Sequence, residues 1–149
     1  MNENKTPFQQ EFAACFDTGE LLVIQEDTGE LLTRKRVGHG PFGGLAASDR
    51  LFVTLAHESA LLSLHLDSLT EISRASTAAQ PRGMALKDRR LFVVHNLDSS
   101  VLVFDAQSLD AIGEIDMGFQ SVMAESITLH QTDPRAYVPH QRQNITNMA

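Results

Sequence analysis

Pro81-Arg-Gly-Met-Ala-Leu-Lys-Asp-Arg-Arg-Leu-Phe-Val-Val-His-Asn-Leu-Asp-Ser-Ser-Val-Leu-Val-Phe-Asp105 decides the fold. Gly83 to Leu86 is short, small and apolar, and reads as a buried inner strand. Lys87-Asp88-Arg89 is a polar tight turn. Arg90 to His95 is rich in β-branched and aromatic residues that suit a pleated surface. Asn96 to Ser99 is a second turn. Val101 to Phe104 is apolar on both faces, as expected of a strand covered from two sides. Gln107 to Asp110 makes a third turn. Ala111 to Asp116 sets Ile112 and Ile115 beside Gly113 and Glu114, the pattern of an outer strand.

The same unit recurs on both sides. Phe12, Phe52 and Phe92 lie 40 positions apart. Gly19, Ser59 and Ser99 hold the same register, as do Leu22, Leu62 and Leu102, and Leu32, Ile72 and Ile112. Pro41 matches Pro81 and Arg50 matches Arg90. A further copy begins at Ser126-Ile127-Thr128-Leu129 and continues, five residues late, as Arg135-Ala136-Tyr137-Val138. Fixed-period self-similarity that includes turn residues marks a repeat architecture.

Four short antiparallel strands in about 40 residues make one blade of a β-propeller. The expected fold is therefore all-β, an open or partial propeller. The expected units are about 1–40, 41–80, 81–120 and an incomplete 121–149, forming one partial domain. A helical solenoid of this period would need 3.6-residue periodicity, and turn signals come too often for that. A β-sandwich is the alternative, but it does not require the sequence to recur.

These residues resemble a known family, the YVTN-type β-propeller repeat. Pro81 to Leu86, Arg90 to Val93, Ser99 to Asp105 and Ile112 look like one whole family repeat. Pro41 to Ile72 is a weaker copy. Phe12 to Leu32 resembles the later strands of a preceding blade, and Ile127 to His140 the first two of a following one. The family's Asn after the second strand is Cys15, Leu55, His95 and His140 here, and its Asp-Gly turn is Ser48-Asp49 or Asp88-Arg89. The resemblance implies an exported protein of the periplasm or cell envelope, in some members beside a c-type cytochrome domain or partner. It also implies closure with about seven blades. Three to four blades are then an open arc, a fragment or half of an assembly, and self-association through exposed blade faces is expected.

Composition narrows the partners. The chain has 149 residues with 12 Lys plus Arg against 19 Asp plus Glu, a formal net charge of −7. That sign disfavours nucleic acid and anionic membrane surfaces. No apolar run reaches the ~20 residues that span a bilayer. Met1 to Gln10 lacks the apolar segment of a secretory signal. One cysteine, Cys15, excludes an internal disulfide, a four-cysteine zinc site and a Cys-x-x-Cys-His haem attachment.

In a propeller, the turns between second and third strands share one rim with the connections between blades. That rule puts His39, His57, His95 with Asn96, and His140 near one rim, and His65 and His130 at the other. These five rim residues are the candidate binding site. His95 and His140 are the best pair for a metal, but no acidic partner stands beside them and one histidine per blade is the simpler reading. No cofactor is expected. Gly38 to Gly44 is glycine-rich, but no helix follows to hold a phosphate, so it reads as a blade connection. Asp49, Asp88 and Asp133 are turn residues, and Asn144-Ile145-Thr146 matches the glycosylation triplet only by composition. Neither Gly-x-Ser-x-Gly nor His-Glu-x-x-His occurs.

The expected function is a non-catalytic binding scaffold for a protein partner or for missing blades. The alternative is a piece of a catalytic propeller, an oxidoreductase, lactonase or lyase, with His39, His95 and His140 converging at the central tunnel. A third reading is a truncated product of a longer gene.

Overall fold

The computed structural model describes residues 10–98, 100–118 and 123–139. It is built from short strands, with no helix among the described residues. Strands β1 (Gln10–Cys15), β2 (Glu20–Gln25) and β3 (Leu31–Arg36) form a three-stranded antiparallel meander. β4 (Pro41–Ala47), β5 (Arg50–Leu55), β6 (Ala60–His65) and β7 (Glu71–Ser76) form a four-stranded one. β8 (Pro81–Lys87), β9 (Arg90–His95), β10 (Ser100–Asp105) and β11 (Ala111–Asp116) form another. β12 (Thr128–Leu129) pairs with β13 (Ala136–Tyr137).

Register repeats with the sequence. Phe12 pairs with Val23, Phe52 with Ser63 and Phe92 with Val103. The strand after each of these carries its irregularity at the same place, between Val23 and Ile24, Ser63 and Leu64, and Val103 and Phe104. The tight turn after the third of these strands also recurs. Gly29, Leu69 and Leu109 all have positive φ, at 71°, 55° and 60°. Their amides donate to the carbonyls of Gln25, His65 and Asp105. A leucine costs roughly 1–2 kcal/mol in this conformation, and burial offsets that cost, since Leu69 and Leu109 both sit in the core.

The turn between β8 and β9 is tighter than the sequence suggests. Lys87 belongs to β8, which leaves the two residues Asp88 and Arg89, with φ of 50° and 63°. Two left-handed residues in a two-residue loop make a type I′ turn, whose twist matches the flanking strands. The corresponding Ser48-Asp49 turn uses one positive φ, at Ser48.

The core lies between successive sheets, which rules out a sandwich of two long faces. Leu51, Val53 and Leu55 of β5 face back to Leu21 and Val23 of β2. Phe52 of the same strand faces forward to Leu91, Val93 and Phe104. Val94 and Val101 face on to Ala124 and Ile127. Period-2 alternation thus sends odd and even residues to opposite neighbours. The first strands of the sheets lie side by side, β1 near β4, β4 near β8 and β8 near β12. They approach closely. A Cβ at Gly43 would stand 2.5 Å from the Arg82 carbonyl oxygen, and one at Gly83 would stand 2.5 Å from that of Glu125. The Thr54 hydroxyl bridges the first of these gaps, accepting from Gly43 N–H at 2.9 Å and donating to the Arg82 carbonyl at 2.7 Å.

Candidate functional site

The turn Phe16–Gly19, the connection Val37–Gly40 and the turn Ala56–Ser59 meet at one rim. Gly38 N–H and Val37 N–H both reach the Gly19 carbonyl, and Ala56 N–H donates to the Gly40 carbonyl at 2.7 Å. Gly40 has φ of 68°, and a Cβ there would sit 3.0 Å from the His57 ring. Glycine is therefore what lets the connection lie against His57. One repeat on, Gln80 takes the same left-handed conformation and its carbonyl accepts from Asn96 N–H.

The expected rim residues divide into two kinds. His39 and His57 are exposed. His39 N–H donates to Glu58 Oε1 at 2.7 Å, and that hydrogen bond, with the Arg74 guanidinium at 2.7 Å, holds the Glu58 carboxyl below the usual carboxylate range. His95 and Asn96 are instead enclosed, with His95 fully buried at the end of β9. Its Nδ1 lies 3.3 Å from the Ser100 carbonyl oxygen, so the neutral ring carries its proton there. His95 Nε2, Asn96 Oδ1 and Ser100 Oγ are buried without a hydrogen-bond partner. Burial pushes the His95 pKa down, against weaker pulls from the Ser100 carbonyl and Asp98. His140 lies outside the described residues. Among the described residues, no group of three or more His, Cys, Asp or Glu side chains is placed to hold a metal. His65 is exposed at the far end of β6, and His130 Nδ1 accepts from Asp133 N–H at 3.0 Å in the turn between β12 and β13.

The structure brings to this rim three residues that the reading of the sequence passed over. Phe16 stands edge-on to the His57 ring at 4.6 Å between centroids and edge-on to Phe42 at 6.3 Å. The Arg82 guanidinium carbon lies 4.3 Å from the centroid of Phe42 and 5.5 Å from that of Phe16. Three successive sheets contribute: Phe16 from the first, Phe42 and His57 from the second, Arg82 from the third. A signal existed in the sequence. Phe42 and Arg82 each follow the repeated proline and so occupy the same place in successive units. Cys15, at the end of β1, is a free, half-buried thiol.

Solved structures share this fold. Hydrazine synthase of Kuenenia stuttgartiensis superposes with a TM-score of 0.72 at 12% identity, over 79% of this chain and 35% of that one. The WD40 repeats of RRP9 give 0.68 at 14% identity, over 79% and 38%. The chain folds as β-propeller blades. The dihydro-heme d1 dehydrogenase NirN, in complex with DHE, gives 0.69 at 14% identity, over 90% of this chain and 30% of that one. At such identities the likeness establishes the propeller fold alone. The chain spans about a third of the length of these three structures. No family model and no curated protein sequence matches it. No helix among the described residues is long and apolar enough to cross a membrane.

Proposed function

We propose that these blades form a non-catalytic binding module, whose contact face is the rim carrying Phe16, His39, Phe42, His57 and Arg82. One observation carries this reading. Three successive blades each place an aromatic or cationic side chain in a single contiguous cluster, built across the joints between them. Aromatic residues and arginine are the side chains that anchor protein interfaces. His95 and Asn96 belong to this reading as residues behind the rim, and His140 is kept as a proposed contact residue. His95 and Asn96 act by shaping the turn after β9 rather than by touching a partner.

We extend the proposal to a cell-envelope location with a c-type cytochrome as partner, a reading supported by the resemblance of the repeat to the YVTN type. The net charge of −7 favours a basic partner, since complementary charge steers encounter. The catalytic alternative needs His39, His95 and His140 to converge. His39 is exposed and His95 enclosed, which favours binding over chemistry at these residues.

The test is nuclear magnetic resonance mapping with the full chain and a purified soluble c-type cytochrome. Perturbation of amides around Phe16, Phe42 and His57, with little change around His65 and His130, supports the reading. Perturbation confined to the His65 rim, or none at all, overturns it.

A further inference from the structure

We infer that Arg82 is the anchor of a site for planar organic carboxylates, in which its guanidinium pairs with the carboxylate and Phe16 and Phe42 form the apolar wall. The inference rests on the rim being a binding face and names the chemistry it takes.

Arg82 is half-buried, yet no carboxylate pairs with it among the described residues. Among the described residues, the ion-paired arginines are Arg34, Arg74, Arg89 and Arg135. The nearest candidate on the rim, Glu58, is already held by Arg74 and by His39 N–H. Arg82 Nη2 donates to the Gln80 side-chain oxygen at 3.1 Å. Its Nε is shielded from solvent without an acceptor, which leaves Nη1, with no acceptor among the described residues, and the second Nη2 hydrogen for a ligand. A guanidinium with these donors unspent and no carboxylate partner among the described residues is set up for an anion.

The surroundings select which anion. The guanidinium carbon lies 4.3 Å from the Phe42 centroid and 5.5 Å from that of Phe16, and these ring contacts narrow the directions its fork can take. A planar carboxylate matches that fork with two parallel hydrogen bonds. A tetrahedral oxyanion matches it no better and is far harder to strip of water beside two phenyl rings. The rings also reward an apolar body behind the carboxylate. Benzoate, with a flat ring to lay against Phe16 or His57, fits this chemistry better than acetate. Among the aromatics named, the His57 ring is exposed, edge-on to Phe16, and can close the site on the third side.

The test is titration of the full chain with benzoate, acetate and inorganic phosphate, followed by 1H–15N spectra that include the arginine Nε resonances. Saturable benzoate shifts at Arg82 and its neighbours are expected, with acetate weaker. Arg82→Gln should weaken benzoate roughly tenfold or more, as loss of a charged pair does, and Arg82→Lys should recover only part. Phe42→Ala should weaken benzoate more than acetate. The thermal midpoints of the three variants show whether each remains folded, and the Arg82→Lys and Phe42→Ala comparisons stand even if Arg82→Gln does not fold. Equal benzoate binding by wild type and Arg82→Gln overturns the proposal, as does phosphate binding as tightly as benzoate. Either result leaves the cytochrome mapping untouched, so loss of the carboxylate site and loss of the rim reading are separately visible.

Discussion

Phe42 and Arg82 hold the same position in successive blades, the second residue of the innermost strand, and the guanidinium of one lies 4.3 Å from the ring of the other. A repeat that puts equivalent side chains side by side across a blade joint lets one joint act as a contact between unlike groups. The pair is partly desolvated, so its coupling should fall between an exposed and a buried cation–π contact, about 0.5–2 kcal/mol. A double-mutant cycle of Phe42→Ala and Arg82→Gln, read by urea unfolding, measures it.

Close approach of the innermost strands makes Gly43 and Gly83 intolerant of a methyl group. Gly43→Ala should destabilise by about 1–3 kcal/mol, because the new Cβ meets a backbone carbonyl that cannot yield. Gly83→Ala should behave alike. Gly44→Ala is the control one residue away, where nothing lies within 4 Å, and it should leave stability within about 1 kcal/mol of wild type or raise it. Equal effects at Gly43 and Gly44 would contradict this packing of blade on blade.

Burial of the neutral His95 ring ties stability to pH. The folded protein holds this group's pKa below the ordinary 6.5, so below that value the unfolded chain binds the proton more readily. The contribution of His95 is therefore complete above pH 6.5 and is lost as pH falls through that value towards the folded pKa. The slope contributed is at most about 1.4 kcal/mol per pH unit. His95→Gln should remove this part of the acid-side loss in urea midpoints between pH 7.5 and 5. An unchanged pH profile in the variant would contradict the assignment.

The outer strand of the third sheet, β11, faces solvent with apolar side chains. Ile112 and Ile115 are 53% and 46% exposed, and they line clefts with Phe92. Leu31 and Leu32 are comparably exposed on the first sheet. Apolar ends of this kind associate. Light scattering at micromolar concentration should show species larger than a monomer, and Ile112→Lys with Ile115→Lys should reduce them. A clean wild-type monomer would contradict self-association.

The fold was legible because it is written three times. Spacing of Phe12, Phe52 and Phe92 placed the second strands, and the runs from Leu22, Leu62 and Leu102 the third. Turn geometry was less legible. Asp88-Arg89 forms a type I′ turn without glycine, and Leu69 and Leu109 take a conformation that Gly29 takes freely, because tertiary burial outweighs local preference. The rim was half legible. His39 and His57 are exposed, whereas topology could not tell that His95 is buried, since burial depends on packing at the end of β9 that strand order does not encode. The aromatic cluster has no single position in the repeat to mark it. Its members instead come from different positions, Phe16 in a turn and Phe42 and Arg82 in strands, and only the packing of three blades unites them.

Identical strand register in each blade underlies both the fold and the rim, and cross-strand nuclear Overhauser contacts in the full chain test it most directly. The prediction is one common pattern, with contacts for Phe12 to Val23, Phe52 to Ser63 and Phe92 to Val103. Absence of any of the three, a shift of one residue in any pair, or sequential contacts typical of helix over these segments would contradict it.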